Sequence, residues 1–167
     1  MRMRTKGPLS FFLYFLFYGG DFMRLWHKDL IKVLPKQQLI SQWRECIAIA
    51  KRIDMYGYPR HGLVNKVTDY PICHLYKYTD MVVCELFDRG YKVSPVALKK
   101  FEDTMNDIDT NYFYDVSFDE LFCKWHNKDY LIQCYYNLQE KFDCDLISKY
   151  EWLRIDKLVS DKFAEYA

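Results

Sequence analysis

A chain of 167 residues, half of them hydrophobic and 19% aromatic, is long enough for one domain with a real buried core and too apolar to be intrinsically disordered. A net charge of +1 excludes a uniformly basic nucleic-acid binder, but the charge is unevenly spread: residues 23–66 carry nine Lys/Arg against three acids, and residues 67–167 carry twelve against nineteen. That split fits either one positive face on an otherwise neutral molecule or an ordinary uneven surface.

Residues 1–22 differ from everything after them. Arg2, Arg4 and Lys6 precede an apolar run over 9–18, and Gly19-Gly20-Asp21-Phe22 follows. This looks like a signal peptide without a clear small-residue cleavage site, and a ten-residue run, apolar but for Ser10, is too short to span a bilayer as a helix. Three readings compete: an upstream start codon ahead of a true start at Met23, a targeting or membrane-surface segment, and an ordered helix packed on the domain. The first is favoured, leaving 1–22 as an extension and 23–167 as one helical domain.

Pro35 suits the first position of a helix predicted over 36–55. Leu39, Ile40, Trp43, Cys46, Ile47 and Ala50 fall on one arc of it. Gln37, Gln38, Ser41, Arg44, Glu45, Lys51 and Arg52 share the opposite arc, with Gln42 and Ile49 at the boundary. Gly57, Pro59 and Gly62 make a loop. Pro71 opens a second helix through Arg89, with Gly90 just beyond its end, and Ser94-Pro95 starts a third that fades near Asp107. The acidic, aromatic stretch 103–115 reads as a loop. Ser117-Phe118-Asp119-Glu120 is a capping box expected to open a long helix to about Phe142, and a last helix is expected over 146–154. Nothing argues for a sheet. The expected fold is all-α: a single compact domain of three long helices plus shorter ones, with the extra N-terminal segment.

Six cysteines, at 46, 73, 84, 123, 134 and 144, include no Cys-x-x-Cys pair and no compact His/Cys cluster, so no metal site is expected. They read as free buried thiols of a reducing, cytoplasmic protein.

The most informative pattern joins Met23-Arg24-Leu25-Trp26-His27-Lys28 to Arg44-Glu45 on the first helix. An amine at a chain start and a helix carboxylate in one pocket allow Schiff-base chemistry on a sugar with no metal or cofactor. An α-amine, with a pKa of about 7.7–8.0, is roughly a tenth neutral at pH 7, whereas a lysine near 10.4 is far less available. Considered on the helix alone, Arg44 and Glu45 are more simply two exposed surface residues.

The residues resemble the pyrimidine dimer DNA glycosylase family of phage endonuclease V-like proteins, and 23–45 is close to its bacterial and archaeal branch. Arg44-Glu45 falls at the family's Arg-Glu pair, counted from Met23, and Gln37 matches a family glutamine. Residues 75–93, containing Cys84-Glu85-Leu86-Phe87-Asp88-Arg89-Gly90-Tyr91, look like its second helix and following turn; Leu138-Gln139-Glu140-Lys141 resembles the end of its third long helix. The resemblance covers most of 23–142.

It implies a cofactor-free, monomeric, all-α enzyme acting on double-stranded DNA with damaged bases, by glycosylase and abasic-site lyase steps on UV-induced pyrimidine dimers. It implies Met23 and Glu45 as catalytic groups, with Arg24, Gln37, Gln38, Arg44 and Lys141 as DNA contacts and no membrane partner. Four positions depart from the pattern. Arg24 follows Met23, and so bulky a second residue prevents trimming of the methionine, leaving the reactive amine on Met23. Gln38 stands at a family histidine, and Ala48 and Asn137 stand at arginines, which should weaken phosphate binding and flatten its salt dependence.

Other residues carry open alternatives. Gln37 and Gln38 read equally as base or backbone readers and as plain surface. His27 and Lys28 line the pocket or serve the structure; Trp26 could stack on a flipped base, while Trp43 belongs to the core. His61, Asn65 and Lys66 are possible DNA contacts, and the tyrosine pairs 112/114 and 135/136 read as packing. Two further hypotheses are a non-catalytic nucleic-acid-binding relative that has lost the nucleophile, and a membrane-associated helical protein supported only by residues 1–22.

Overall fold

The computed structural model describes residues 23–165, so the readings of 1–22 lie outside the described residues. The described chain begins in an extended segment, residues 23–27, which leads into a 3₁₀ helix, Lys28–Val33. Helix α1 spans Lys36–Tyr56, followed by a second 3₁₀ helix, Val64–Asp69, and then by α2 (Cys73–Asp88), α3 (Pro95–Ile108), α4 (Lys128–Asp143) and α5 (Lys149–Glu165). The fold is all-helical, with no strand among the described residues, and forms one domain around a single apolar core.

Local chemistry sets the ends. Gly57, at φ 78°, closes α1 with its amide on the Ile53 carbonyl, a left-handed cap that favours glycine. Gly90, at φ 74°, does the same after α2, where the Tyr91 amide returns to the Leu86 carbonyl at 2.8 Å. The Ser94 hydroxyl caps α3 through the Ala97 amide, and the Asn127 side chain caps α4 through Tyr130. Ser148 and Glu151 form a reciprocal capping box at the start of α5. Helix α1 packs against α2 and α3; α5 packs against α4 and the first 3₁₀ helix.

Several sequence expectations need correction. The 117–120 capping box exists, with Ser117 Oγ 2.6 Å from Glu120 Oε2, but it does not open the long helix. Phe122 turns left-handed (φ 49°), and Lys28 Nζ takes the carbonyls of Phe118 (2.6 Å), Asp119 (3.3 Å) and Leu121 (3.0 Å), which a continuing helix would have needed as acceptors. The long helix therefore starts about ten residues late, at Lys128. The last helix, placed over 146–154, instead begins at Lys149 and continues to Glu165. The supposed loop 103–115 is helical through Ile108. Neither 3₁₀ helix was anticipated. All six cysteines are free thiols, but Cys84, Cys123 and Cys144 are exposed rather than buried.

The buried stripe of α1 is rotated from the expected one. Gln42 and Ile49 sit fully inside, and Ile40 and Ile47 move to a half-buried edge. The displacement arises because the chain start packs along the Gln42–Glu45 side, where the sequence pattern shows only polar residues.

Two cations lock the first 3₁₀ helix in place. Arg89 bonds the Leu34 and Lys32 carbonyls (2.6 and 3.0 Å) while paired with Glu85 at 2.6 Å. Lys28, nearly buried and also 4.8 Å from the Phe118 ring, bridges the chain start to residues 118–121. Lys28→Met keeps the stem and removes only the ammonium, orphaning three carbonyls. It is expected to lower unfolding free energy by about 2 kcal/mol, read from a lower urea midpoint at unchanged slope.

Candidate active site

The extended segment 23–28 is almost wholly interior, with Met23 5% exposed, Leu25 0% and Trp26 4%. Buried backbone must find partners, and this segment has no neighbouring strand to supply them. Side chains supply them instead. The Arg24 amide donates to Glu45 Oε2 (3.4 Å), and the Arg24 carbonyl accepts from Gln42 Nε2 (2.9 Å). The Leu25 carbonyl accepts from the Tyr130 hydroxyl (2.6 Å), the Trp26 amide donates to Gln42 Oε1 (2.8 Å), and the Trp26 carbonyl accepts from the Tyr78 hydroxyl (2.7 Å). The Lys28 amide ends the series on His126 Nδ1 (3.0 Å). Six backbone groups thus meet five side chains drawn from α1, α2, α4 and the turn before α4.

Glu45 lies at the open edge of this arrangement, with Gln42 Nε2 3.3 Å from the same carboxylate oxygen that the Arg24 amide approaches. Burial pushes its carboxyl up to about 7; the Arg24 amide bond and the charges of Arg24 and Lys141 oppose that rise. Such a group is half protonated near neutral pH, the condition in which one carboxyl both gives and takes a proton. The Arg24 guanidinium lies 4.6 Å over the Trp26 ring and donates to Asn137 Oδ1 at 3.3 Å, so α4 flanks the site with a cation and an amide.

Of the residues named from sequence, Met23, Arg24, Glu45 and Lys141 gather at this corner. The Met23 nitrogen is one residue, at most about 3.6 Å of chain, from the Arg24 amide that contacts the carboxylate. Arg44 is exposed beside it. Gln37 and Gln38 stand in the first turn of α1, about 10–12 Å along the axis from Glu45, and make no hydrogen bond to it. Trp26 is buried under Arg24 and offers no open face for a flipped base. Trp43 is core, packed edge-on to Phe101 at 5.7 Å.

His27 and Lys28 serve the structure rather than the pocket. His27 caps the first 3₁₀ helix through the Asp29 amide and stacks on His126 with centroids 5.2 Å apart; burial holds both imidazoles below their usual range. His61, Asn65 and Lys66 lie beyond the far end of α1, where Asn65 Oδ1 accepts the His61 amide at 2.9 Å to shape the loop. Sequence reasoning missed Gln42, Tyr78, Tyr130 and His126. Only Gln42 left a trace, as a polar residue three before Glu45 on the edge of the apolar arc.

The raised carboxyl makes a stability prediction with a definite sign. Below about pH 4.5 the folded and unfolded forms are both protonated, and Glu45 then carries no ionic penalty. As pH rises from about 4.5 towards about 7, the unfolded carboxyl ionises while the folded one keeps its proton, so stability falls across that window and levels off above it. A shift from 4.5 to about 7 bounds the effect near 3 kcal/mol, which the solvent-facing edge reduces to about 1–2 kcal/mol. Glu45→Gln should therefore match the parent at pH 4 and exceed its unfolding free energy by that amount at pH 8.5. Denaturation at both pH values checks this.

Neither a curated protein nor a solved structure matches the chain. No group of three or more His, Cys, Asp or Glu among the described residues is arranged to hold a metal ion, and no described helix is long and apolar enough to cross a membrane. A family model does match, described as pyrimidine dimer DNA glycosylase, and its match starts at Met23 and takes in the extended segment, α1, Glu45, α2 and the start of α3. Over residues 23–98 this chain matches the pyrimidine dimer DNA glycosylase family.

Proposed function

We propose that the protein is a DNA-repair glycosylase with abasic-site lyase activity on pyrimidine dimers in duplex DNA, acting as a monomer whose working chain begins at Met23. The observation that carries this reading is the contact between the Arg24 amide and Glu45, 3.4 Å, at a carboxyl poised near pH 7. A chain beginning at Met23 would hold its own terminal amine one residue from that carboxylate.

The chemistry needs nothing further. The neutral α-amine adds to C1′ of the damaged nucleotide, the C1′–N glycosidic bond breaks, and the departing base carries away the bonding electrons and gains a proton. The amine then loses a proton, the C1′–O4′ bond breaks as O4′ takes up a proton, and the opened sugar is left as an iminium at C1′. Glu45, ionised, stabilises the positive charge that builds on the sugar; it then takes a proton from C2′ while the C3′–O bond breaks. Water hydrolyses the imine and returns the amine. Arg24, Arg44 and Lys141 supply cations for the backbone on either side of the lesion, and Gln37 and Gln38 would meet the duplex further along α1. Residues 1–22 are then an extension that must be absent for activity.

A chain starting at Met23, mixed with UV-irradiated duplex DNA and borohydride, should give a covalent protein–DNA adduct, because hydride reduces the imine to a stable amine. Binding to irradiated DNA with no adduct would instead support a non-catalytic nucleic-acid-binding relative.

A further inference from the structure

We propose that Gln42 and Tyr78 are positioning residues for the Glu45 site: their side chains stand in for a missing β-strand and hold residues 24–26 extended, which fixes the residue-23 nitrogen beside the carboxylate. The inference rests on the glycosylase reading for its catalytic part.

The Gln42 side chain is 0% exposed and bonds at both ends. Its carbonyl oxygen accepts the Trp26 amide (2.8 Å), and its amide nitrogen donates to the Arg24 carbonyl (2.9 Å) and to Glu45 Oε2 (3.3 Å). Taking the carbonyl of one residue and the amide two residues on is the pattern by which a strand neighbour grips an extended chain. Turning the amide over would set oxygen against the Arg24 carbonyl and the carboxylate, and NH₂ against the Trp26 amide, so one orientation is enforced.

Tyr78, also fully buried, donates to the Trp26 carbonyl at 2.7 Å and lies 3.1 Å from Gln42 Oε1. It thereby ties the segment to α2 as Gln42 ties it to α1. Both residues touch the segment, and only Gln42 also touches Glu45. A chain terminus frays unless it is tied down, and a nucleophile must be held to within a fraction of an ångström to act.

The test compares Gln42→Leu and Tyr78→Phe with the parent, all starting at Met23, by single-turnover cleavage across pH, DNA affinity, hydrogen exchange at the Trp26 amide, and carbon-13 titration of the Glu45 carboxyl. Both variants should lose about tenfold or more in single-turnover rate with affinity within about twofold, and the Trp26 amide should exchange at least about tenfold faster. Gln42→Leu alone should raise the Glu45 titration and the acid limb of the rate profile, by about half a pH unit, since it removes a donor to the carboxylate. Tyr78→Phe should leave both where they were.

Unchanged rates and exchange in folded variants would overturn the inference, as would equal pH shifts in the two. Should Gln42→Leu fail to fold, the rate and exchange of Tyr78→Phe decide. An inactive parent would overturn the glycosylase reading and the catalytic part of this inference, while exchange and titration would still decide whether the two side chains hold the segment.

Discussion

Glu45→Gln, in a chain that starts at Met23, should lower borohydride-trapped adduct and strand cleavage by about 10³-fold or more while leaving binding to irradiated duplex within a fewfold of the parent. The substitution is nearly isosteric. Its amide can still meet the Arg24 amide through oxygen, so the extended segment keeps its place. What disappears is a charge beside the sugar and a group able to move a proton, both needed only once the glycosidic bond begins to break. An interaction used only in the transition state shows itself as a loss of rate without a loss of affinity.

The same variant is expected to be more stable than the parent at pH 8.5, because it removes a carboxylate that the fold ionises against its burial. Lower activity with higher stability in one molecule cannot come from unfolding. Single-turnover assays and urea denaturation on one preparation read both effects.

The second large effect concerns where the chain begins. With residues 1–22 attached, the nitrogen of Met23 is a peptide nitrogen whose lone pair is shared with a carbonyl, and it cannot add to C1′. The extended chain should therefore give no detectable adduct, at least about 10⁴-fold below the chain that starts at Met23. Placing a specific protease site so that cleavage leaves Met23 as first residue should restore adduct formation in the same sample. If the uncut chain traps DNA as well as the cut one, the α-amine is not the nucleophile.

Much of the fold could be read directly because its signals are local. Pro35, Gly57, Gly90 and Ser94 each punctuate a helix by their own backbone or side-chain chemistry, and none depends on a distant partner. The late start of α4 could not be read this way. Ser117 and Glu120 make their capping box, yet Lys28, some ninety residues earlier, claims the carbonyls that a helix there would have used. A long-range cation overrides a short-range motif.

The site divides in the same manner. Met23, Glu45 and Lys141 are singled out in the sequence by their spacing and the family pattern, and the fold brings them to one corner. Gln42, Tyr78, Tyr130 and His126 are not, since each looks like an ordinary core or surface residue until the buried segment 23–28 demands hydrogen-bond partners. Trp26 shows the converse. Its ring suggests base stacking, but the fold uses it as core under the Arg24 guanidinium.

The most direct measurement is to trap the Met23-start protein on UV-irradiated duplex with borohydride, digest protein and DNA, and locate the sugar remnant by mass spectrometry. The account predicts the remnant on the α-amine of Met23, in the peptide that also contains Arg24. A remnant on a lysine side chain, Lys28 or Lys141 for example, would contradict it.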